Sequence, residues 1–361
     1  MPLGVVGHAP VFSPDANSTC KTRIFGSGLQ PTPTSLSDGP HSIPLRSSIM
    51  THMTLAPVFP QTSLPPTVNL HLWPPCNEHC RYCFAQFQDD STLPSIRGSG
   101  LSEADWKDIL TSLRAAGVEK VTFAGGEPTL CPWLGKLLSH AYALGLVTSL
   151  ITNGVHLEEL LYTHSRYLDW VGLSVDSADE QVQRRLGRGQ GHYVRRARHL
   201  FGLLHTLNIR TKLNTVVTAL NWDEDMSDFV RAVRPERWKI LQVLALAGQN
   251  DATVDPLLIT DTQFRQFVLR HRHLEAAGIT LAPESNNALT GSYGMIDPRG
   301  RFFSNVGGRH RYSRPILQVG LVKAFNEIQF SPDKFETRGG RYEWRDAVPT
   351  ANAYALSPPT A

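Results

Sequence analysis

The chain has 361 residues, of which 41% are hydrophobic and 19% charged, so it is long enough to bury a sizeable core in one large domain or two ordinary ones. Its net charge of +3 is too small to indicate nucleic-acid binding. Three of the five cysteines lie in one short loop, which is not a disulfide framework and predicts a reducing, cytoplasmic setting. No run approaches the roughly 18 apolar residues of a membrane span.

The first 66 residues are rich in Pro, Ser, Thr and Gly and show neither helical periodicity nor a basic-then-apolar signal pattern. We predict a disordered arm over residues 1–66, and an over-extended start of the gene is the alternative. Residues 67–283 carry the regular pattern of a barrel. Residues 284–361 are predicted to form a loop-rich C-terminal extension with a flexible tail.

Strand and helix signals alternate regularly after the arm. Residues 67–73 alternate apolar and polar side chains, which predicts a strand. Ser102 and Asp105 form a capping box for a helix that ends at Gly117. Further strands are predicted at 118–124, 146–152, 168–175, 209–217 and 238–246, and further helices at 132–144, 156–166, up to about 207, 222–233 and 261–277. Six such units in succession predict parallel strands in an α/β fold, best as a partial (β/α)6 barrel of the TIM type.

Beyond residue 278 the alternation ends. We predict a short strand and turn at 279–285, a hairpin at 293–303 and a helix at 316–328. Five arginines lie between 299 and 314. Because sites in parallel barrels lie at the carboxyl ends of the strands, we expect this extension to cover that mouth as a lid.

Three cysteines follow the first strand with the spacing C-x3-C-x2-C, at Cys76, Cys80 and Cys83. Structural zinc requires a closed tetrahedron of four protein ligands, and no fourth ligand is supplied locally. An iron–sulfur cluster held by three cysteines keeps one iron open for a substrate or cofactor. We predict such a cluster, and zinc with His79 or Cys131 as fourth ligand is the alternative.

Several predicted strands carry polar side chains two residues apart on one face, although strands of a parallel barrel are usually apolar on both. The neutral members are Asn69, His71 and Asn214, and the cations are Lys120, Lys212, Arg237 and Lys239. A strand end reaching solvent explains any one lysine, and a satisfied core histidine explains His71. The recurrence on several strands instead predicts an inward pocket for a polyanion such as a nucleoside triphosphate, because such side chains are costly to bury without partners.

A second group of candidates follows the strand ends. Gly125, Gly126 and Glu127 end the second strand, where the glycines let the backbone approach a ligand and the carboxylate can receive an ammonium group. A solvated turn is the alternative for Arg188, a possible carboxylate partner in a glycine-rich loop. These glycines are not spaced as a Walker loop or a Rossmann fingerprint.

The motifs from Val68 to Trp344 together resemble the viperins, a family of radical S-adenosylmethionine (SAM) enzymes. The resemblance rests on the cysteine loop, Gly125-Gly126-Glu127-Pro128, the glycine-rich loop at 187–191, Lys212-Leu-Asn214, Arg237-Trp-Lys239, Pro283-Glu-Ser-Asn286, Ser292-Tyr293 and Arg338-Gly-Gly-Arg-Tyr342. It implies a [4Fe–4S] cluster on Cys76, Cys80 and Cys83, and SAM as cofactor. The implied SAM contacts are Tyr82, Gly125, Gly126, Glu127, Asn153, Ser174 and Arg188.

The same resemblance implies that a nucleoside triphosphate becomes its 3′-deoxy-3′,4′-didehydro analogue, an antiviral chain terminator, after hydrogen abstraction from C4′ and loss of the 3′-hydroxyl. The implied substrate contacts are Asn69, His71, Lys120, Lys212, Asn214, Arg237, Lys239 and Arg338. Tyr293 matches a tyrosine that delivers hydrogen late in the reaction, and an ordinary hairpin aromatic is the alternative. Implied partners are CTP, UTP or GTP and an electron donor such as a flavodoxin or ferredoxin, with the enzyme as a monomer.

Two other functions compete with this one. A radical SAM cyclase acting on GTP carries a second cluster near its C-terminus, whereas this chain has no cysteine after Cys131. A zinc-binding module without catalysis is the other alternative. Ala124 stands where animal viperins have a serine, so one cofactor contact of that family is missing.

Overall fold

The computed structural model describes residues 64–87, 100–251 and 253–345. The predicted disordered arm, apart from residues 64–66, and the predicted flexible tail after residue 345 lie outside the described residues. None of the helices in the described ranges is both long and apolar enough to cross a bilayer.

Ten strands in the described residues form one open sheet. They are β1 (Thr67–Trp73), β2 (Lys120–Gly125), β3 (Val147–Thr152), β4 (Trp170–Ser174), β5 (Arg210–Val217), β6 (Arg237–Gln242), β7 (Thr280–Glu284), β8 (Gly294–Ile296), β9 (Arg301–Ser304) and β10 (Arg311–Pro315). Strands β1 to β7 lie in chain order and pair in parallel, as predicted for a partial barrel. The sheet does not close, because β8 pairs in parallel with β1 and β9 and β10 continue it antiparallel beyond that edge.

Helices up to residue 271 connect the parallel strands and pack against the sheet, and the shorter helices after residue 284 belong to the C-terminal extension. They are α1 (Glu103–Ala115), α2 (Leu134–Ala143), α3 (Leu157–His164), α4 (Glu180–Leu186), α5 (Tyr193–Thr206), α6 (Ser227–Val233), α7 (Asp261–His271), α8 (Asn286–Leu289), α9 (Ile316–Val319), α10 (Leu321–Phe325) and α11 (Pro332–Thr337). The predicted capping box is present at the start of α1, where the side chains of Ser102 and Asp105 each accept from the other's backbone N–H. The apolar stripe of α1, including Trp106 and Leu110, is buried in the core, where each large side chain contributes about 1.5–3 kcal/mol.

The sequence prediction is wrong at the end of the described chain. The single helix predicted at 316–328 is two short helices, α9 and α10, separated by Gly320 with φ of +84°. A residue in this left-handed region cannot continue a right-handed helix, and glycine adopts it without a steric penalty. Helix α11 was not predicted.

The register of the sheet places the polar side chains in two neighbouring rows. Lys212 of β5 pairs with Arg237 of β6, and two residues further along Asn214 pairs with Lys239. Paired residues of adjacent strands face the same side of the sheet, so the predicted common face for these four side chains is confirmed. The row of Lys212 lies nearer the amino ends of the strands, and the row of Asn214 nearer the carboxyl ends.

The C-terminal extension reaches both ends of the strands. At the carboxyl end, where we expected a lid, Phe303 packs edge-on against His71, with ring centroids 5.3 Å apart. The last described residues lie at the opposite end, because Tyr342 and Trp344 form a cluster with Val147 and Trp170, the first residues of β3 and β4. The extension is thus more than the predicted lid, since it also covers the amino ends of the strands.

Candidate active site

A cavity of about 730 Å³ lies between the cysteine loop, the inner face of the sheet and the extension. Fifteen of the predicted site residues line it: Asn69, His71, Cys76, Cys80, Tyr82, Cys83, Gly125, Gly126, Glu127, Asn153, Ser174, Arg188, Asn214, Lys239 and Tyr293. The other four, Lys120, Lys212, Arg237 and Arg338, are not in its lining. Lys120, Lys212 and Arg237 contact the extension near the amino ends of the strands. Arg338 is part of the extension, and its Nη1 lies 3.6 Å from Oε1 of Glu284, the last residue of β7.

The cysteine loop is held in place by the glycine-rich loop that follows α4. The N–H of His79 donates to the carbonyl of Gly187 at 3.1 Å, and the N–H of Arg81 donates to the carbonyl of Leu186 at 3.0 Å. Gly187 has φ of +91°, and a Cβ there would lie 2.1 Å from the carbonyl oxygen of His79. This position therefore requires glycine, because any side chain would push the two loops apart.

A second support comes from the loop after β6, which the sequence did not indicate. The side-chain amide of Asn250 donates to the carbonyl of Tyr82 at 3.1 Å, and the hydroxyl of Thr253 donates to the carbonyl of Arg81. These contacts join residues about 170 positions apart, so no local pattern could have predicted them. They satisfy carbonyls that the irregular cysteine loop leaves without a ladder partner.

The three predicted cluster ligands are free thiols that face the cavity. Burial raises the pKa of Cys80 to about 12, and a bound metal centre would reverse this because its ligands must be deprotonated. Cys131, one possible fourth ligand for zinc, is buried in the hydrophobic core. In the described residues no three His, Cys, Asp or Glu side chains converge enough to hold a single metal ion. Three soft thiols around an open cavity fit an iron–sulfur cluster.

Glu127 is a buried carboxylate held by four donors. Its Oε1 accepts from the N–H of Thr129 at 3.1 Å and from the hydroxyls of Thr129 and Thr152, each at 2.6 Å. Its Oε2 accepts from the N–H of Asn153 at 2.8 Å. These bonds fix one orientation of the carboxylate at the cavity wall, close to the cysteine loop.

The two glycines before Glu127 have a structural reason that differs from the predicted one. A Cβ on Gly125 would lie 2.6 Å from the carbonyl oxygen of Trp73, and one on Gly126 would lie 2.1 Å from that of Pro74. The N–H of Gly126 donates to the carbonyl of Trp73 at 2.8 Å. The glycines thus let the end of β2 pack against the chain that leads into the cysteine loop. We had predicted close approach to a ligand.

Arg188 is buried in a network that includes Asp176, a residue we did not predict as part of the site. The Nε of Arg188 donates to Asp176 Oδ2 at 2.6 Å and to the hydroxyl of Tyr82 at 2.8 Å, and its Nη1 donates to the hydroxyl of Tyr193 at 3.2 Å. Tyr193 in turn donates to the carbonyl of Ser174. Asp176 follows Ser174 by two residues, so strand alternation placed it on the same face and could have identified it.

This end of the cavity carries the carboxylates of Glu127 and Asp176 and the guanidinium of Arg188. An amino-acid group with an ammonium and a carboxylate, as in the methionyl part of SAM, has the pair of charges complementary to Glu127 and Arg188. The residues present therefore fit SAM beside a cluster on the three thiols. Glu127 and Asn153 would hold the ammonium side, and Arg188 the carboxylate side.

At the amino ends of the strands three cations surround one aromatic ring. Lys120 donates to the hydroxyl of Tyr342, and the ring centroid of Tyr342 lies 4.5 Å from Lys120 Nζ, 5.2 Å from Lys212 Nζ and 4.5 Å from Arg237 Cζ. The ring of Trp170 lies 4.8 Å from Lys212 Nζ. Aromatic faces attract cations, which offsets part of the cost of burying them together.

Crowding and burial of these cations disfavour their charged forms. Burial, opposed by contact with Lys212 and reinforced by Lys239 and Arg237, lowers the pKa of Lys120 to about 7. Burial and the neighbouring Lys120 hold the pKa of Lys212 well below its usual value. Burial, partly offset by Glu284, lowers the pKa of Lys239 to about 8. An anion placed among these lysines would restore their charge.

Glu284 joins this cluster to the cavity and was not predicted as a site residue. It is 0% exposed, its Oε1 lies 2.9 Å from Lys239 Nζ and 3.6 Å from Arg338 Nη1, and it accepts a hydrogen bond from the hydroxyl of Tyr293. Lys239 also donates to the Tyr293 hydroxyl at 2.5 Å, and Arg338 lies 3.6 Å from the centre of its ring.

The neutral candidates lie between the two ends. Burial and the nearby His310 lower the pKa of His71 to about 3, so His71 is neutral at physiological pH. The Oδ1 of Asn214 is buried without a hydrogen-bond partner among the described residues. Because a buried acceptor without a partner is costly, this atom indicates a donor that a ligand supplies.

Comparison with known proteins places the chain in a family. A model described as the radical SAM superfamily matches residues 71–233. An S-adenosylmethionine-dependent nucleotide dehydratase of Flammeovirga pacifica is 42% identical over 284 residues, which cover 78% of this chain and 96% of that protein. The chain belongs to the S-adenosylmethionine-dependent nucleotide dehydratases, the viperin-like members of the radical SAM superfamily.

A protein of the same name from Lacinutrix mariniflava is also 42% identical, over 288 residues, and there the match covers 77% of this chain and 59% of the longer relative. Among solved structures, SuiB of Streptococcus suis bound to S-adenosylmethionine superposes with a TM-score of 0.56 at 17% identity, covering 78% of this chain and 69% of that chain. This likeness concerns the fold alone.

As a radical SAM nucleotide dehydratase the protein is an enzyme, and its cofactors are a [4Fe–4S] cluster and SAM. The alternative of a non-catalytic zinc module is therefore wrong.

Proposed function

We propose that the enzyme converts a nucleoside triphosphate into its 3′-deoxy-3′,4′-didehydro analogue. The observation that carries this proposal is the arrangement along one cavity. A thiol loop with the Glu127 and Arg188 pair stands at one end of the cavity, and Lys239 and Tyr293 line it further along. Four more cations cluster nearby, outside the lining: Lys120, Lys212, Arg237 and Arg338. A triphosphate carries about four negative charges, and clustered buried cations bind such a group without competition from water.

The chain's own residues fix the substrate. Five cations bind the phosphates. Lys120, Lys212 and Arg237 lie near the amino ends of the strands, and Lys239 and Arg338 lie beside Tyr293. This leaves the ribose in the middle of the cavity. Asn69, His71 and Asn214 supply neutral hydrogen bonds there. Positioning is the main catalytic contribution of the protein, since a reactive group held near one C–H bond must be kept from all others.

When bound, the cluster and SAM supply a 5′-deoxyadenosyl radical that takes the hydrogen atom from C4′ of the ribose. The nucleotide then loses its 3′-hydroxyl as water, which requires one proton and one electron. Tyr293 lines the cavity, and its hydroxyl supplies that proton and electron as one hydrogen atom. An external reductant, such as a flavodoxin or ferredoxin, returns the tyrosine to its reduced form.

The experiment is anaerobic incubation of the reconstituted enzyme with SAM, dithionite and each of CTP, UTP, GTP and ATP, followed by mass spectrometry. We expect a product lighter than its substrate by one water, with 5′-deoxyadenosine formed in equal amount, for at least one nucleotide. Cleavage of SAM without a dehydrated product from any of the four would contradict the proposal. Parallel reactions contain the four free nucleosides, and a dehydrated product from these alone would contradict the role of the cations.

A further inference from the structure

The buried carboxylate of Glu284 is not explained by the proposed function. Its neighbours Lys239 and Arg338 are the two cations nearest Tyr293. The carboxylate helps to keep Lys239 charged, but it also competes with phosphate for both cations. Burial alone would raise the pKa of Glu284, but Lys239 and Arg338 outweigh it and keep the pKa below its usual value, so the carboxylate is charged. A charged carboxylate with no solvent exposure needs a reason beyond packing.

The contacts of Glu284 supply that reason. One oxygen, Oε1, lies 2.9 Å from Lys239 Nζ and 3.6 Å from Arg338 Nη1, which is where a phosphate oxygen would lie if it bound both cations. The other oxygen, Oε2, accepts from the hydroxyl of Tyr293. Arg338 is fixed in turn by its donation to the carbonyl of Ser292 at 3.1 Å. One side chain therefore controls both the charge of two phosphate ligands and the direction of the phenol.

We propose that Glu284 is a positioning residue that takes the place of a phosphate between Lys239 and Arg338 and holds the hydroxyl of Tyr293 at the cavity wall. This inference rests on the proposed function and assigns a residue to it. Incoming phosphate competes with Oε1 for the two cations, whereas Oε2 keeps its bond to the phenol. The cations lose affinity for phosphate through this competition, and the tyrosine gains a defined orientation.

The two roles predict opposite effects of one substitution. Glu284→Gln keeps the size of the side chain and an acceptor oxygen but removes the charge. Binding of inorganic tripolyphosphate to the reconstituted enzyme, measured by calorimetry below pH 7 so that Lys239 stays protonated, should become about tenfold tighter because the carboxylate no longer competes for the two cations. The amount of dehydrated nucleotide formed for each SAM cleaved should fall by about tenfold to a hundredfold, because the phenol is less well held.

If Glu284 had a purely structural role, Glu284→Gln would weaken tripolyphosphate binding and also lower the yield of dehydrated nucleotide for each SAM cleaved, which we call coupling. Weaker or unchanged binding of tripolyphosphate in Glu284→Gln therefore overturns the proposal. So does an unchanged yield of product for each SAM cleaved. The matched control is Glu275→Gln, the same change at an exposed carboxylate shortly before β7, which should alter neither measurement. Tripolyphosphate binding tests Glu284 even if no nucleotide is turned over, so its failure is distinct from failure of the proposed function.

A double-mutant cycle shows whether Glu284 acts through the tyrosine. In a Tyr293→Phe background, Glu284→Gln should cause no further loss of coupling, and an additional loss of tenfold would overturn the positioning role. Glu284→Gln alone could fail to fold because Lys239 loses its charged partner. In that case the single variant Lys239→Met is compared with the double variant that carries both Lys239→Met and Glu284→Gln. The double variant should form less dehydrated nucleotide for each SAM cleaved than Lys239→Met does. Equal yields from the two proteins would overturn the proposal.

Discussion

The two ends of the cavity differ in how their charges are balanced. At the carboxyl ends of the strands, Arg188 pairs with Asp176, and the Glu127 carboxylate is satisfied by four donors. In the second group of charges, Lys120, Lys212 and Arg237 surround the ring of Tyr342, and Lys239 and Arg338 share one carboxylate, Glu284, among the residues that the structure describes. A balanced end is organised before its ligand arrives, whereas an end with excess positive charge is incomplete without an anion. The first suits a zwitterionic cofactor and the second a polyphosphate.

The largest effect is expected at the balanced end. Cys80→Ala should abolish both the iron–sulfur absorbance and SAM cleavage, because two thiolates of this loop cannot retain the cluster. Iron content and the visible spectrum of anaerobically purified protein measure this. Cys131→Ala removes a core thiol outside the loop and should keep the spectrum, and full iron content in Cys80→Ala would disprove the ligand assignment.

Tyr293→Phe should separate SAM cleavage from dehydration of the nucleotide. The variant keeps the ring that packs beside Arg338 but lacks the hydroxyl, so SAM is still cleaved while the dehydrated nucleotide falls by about a hundredfold. Quantifying 5′-deoxyadenosine and nucleotide product in the same reaction gives both values. Product at the wild-type level would return Tyr293 to a packing role.

Lys212→Ala should weaken nucleotide binding by about 10-fold to 150-fold, the equivalent of one charge-assisted hydrogen bond of about 1.5–3 kcal/mol. The visible spectrum should not change, since Lys212 does not contact the cysteine loop. Lys136→Ala, which removes an exposed lysine paired with Glu103, is the matched control and should bind nucleotide normally. If both variants lost the same nucleotide affinity, the net charge of the protein, and not the buried position of Lys212, would govern binding.

The smallest effect is a dependence on pH that belongs to two of the lysines. The pKa of Lys120 is about 7 and that of Lys239 about 8, so first Lys120 and then Lys239 loses its charge in the free enzyme as the pH rises from 6 to 9. Affinity for tripolyphosphate should fall about threefold to tenfold over this range. Because the bound anion raises both pKa values, binding at pH 8 should take up protons. Calorimetry in two buffers of different ionisation enthalpy measures this, and proton release would contradict it.

Most of the parallel sheet could be predicted because its signals are local. The alternation in residues 67–73 gave the bounds of β1, and the capping box gave the start of α1. Charged pairs two residues apart gave the inward face of β5 and β6, since strand alternation fixes which side chains share a face. The broken helix at Gly320 was missed because glycine is tolerated in a helical pattern, and only the backbone conformation shows that it ends one.

The remaining parts of the site depend on contacts distant in sequence. Glu284 lies in the motif Pro283-Glu-Ser-Asn286, but its role depends on Lys239 and Arg338, which lie 45 residues before it and 54 after it. Tyr342 meets the lysines at the amino ends only because the extension crosses to that end of the sheet. Such placement follows from tertiary packing, and a single sequence carries no signal for it.

The most direct test of the account compares a nucleoside triphosphate with its nucleoside. Because several charge-assisted bonds to phosphate are each worth about 1.5–3 kcal/mol, the triphosphate should have a kcat/KM at least about a thousandfold higher, with the diphosphate between them. The comparison uses the base that wild-type enzyme prefers, with SAM cleavage measured in parallel. Similar kcat/KM values for triphosphate and nucleoside would contradict the claim that the cations at the amino ends of the strands bind the triphosphate.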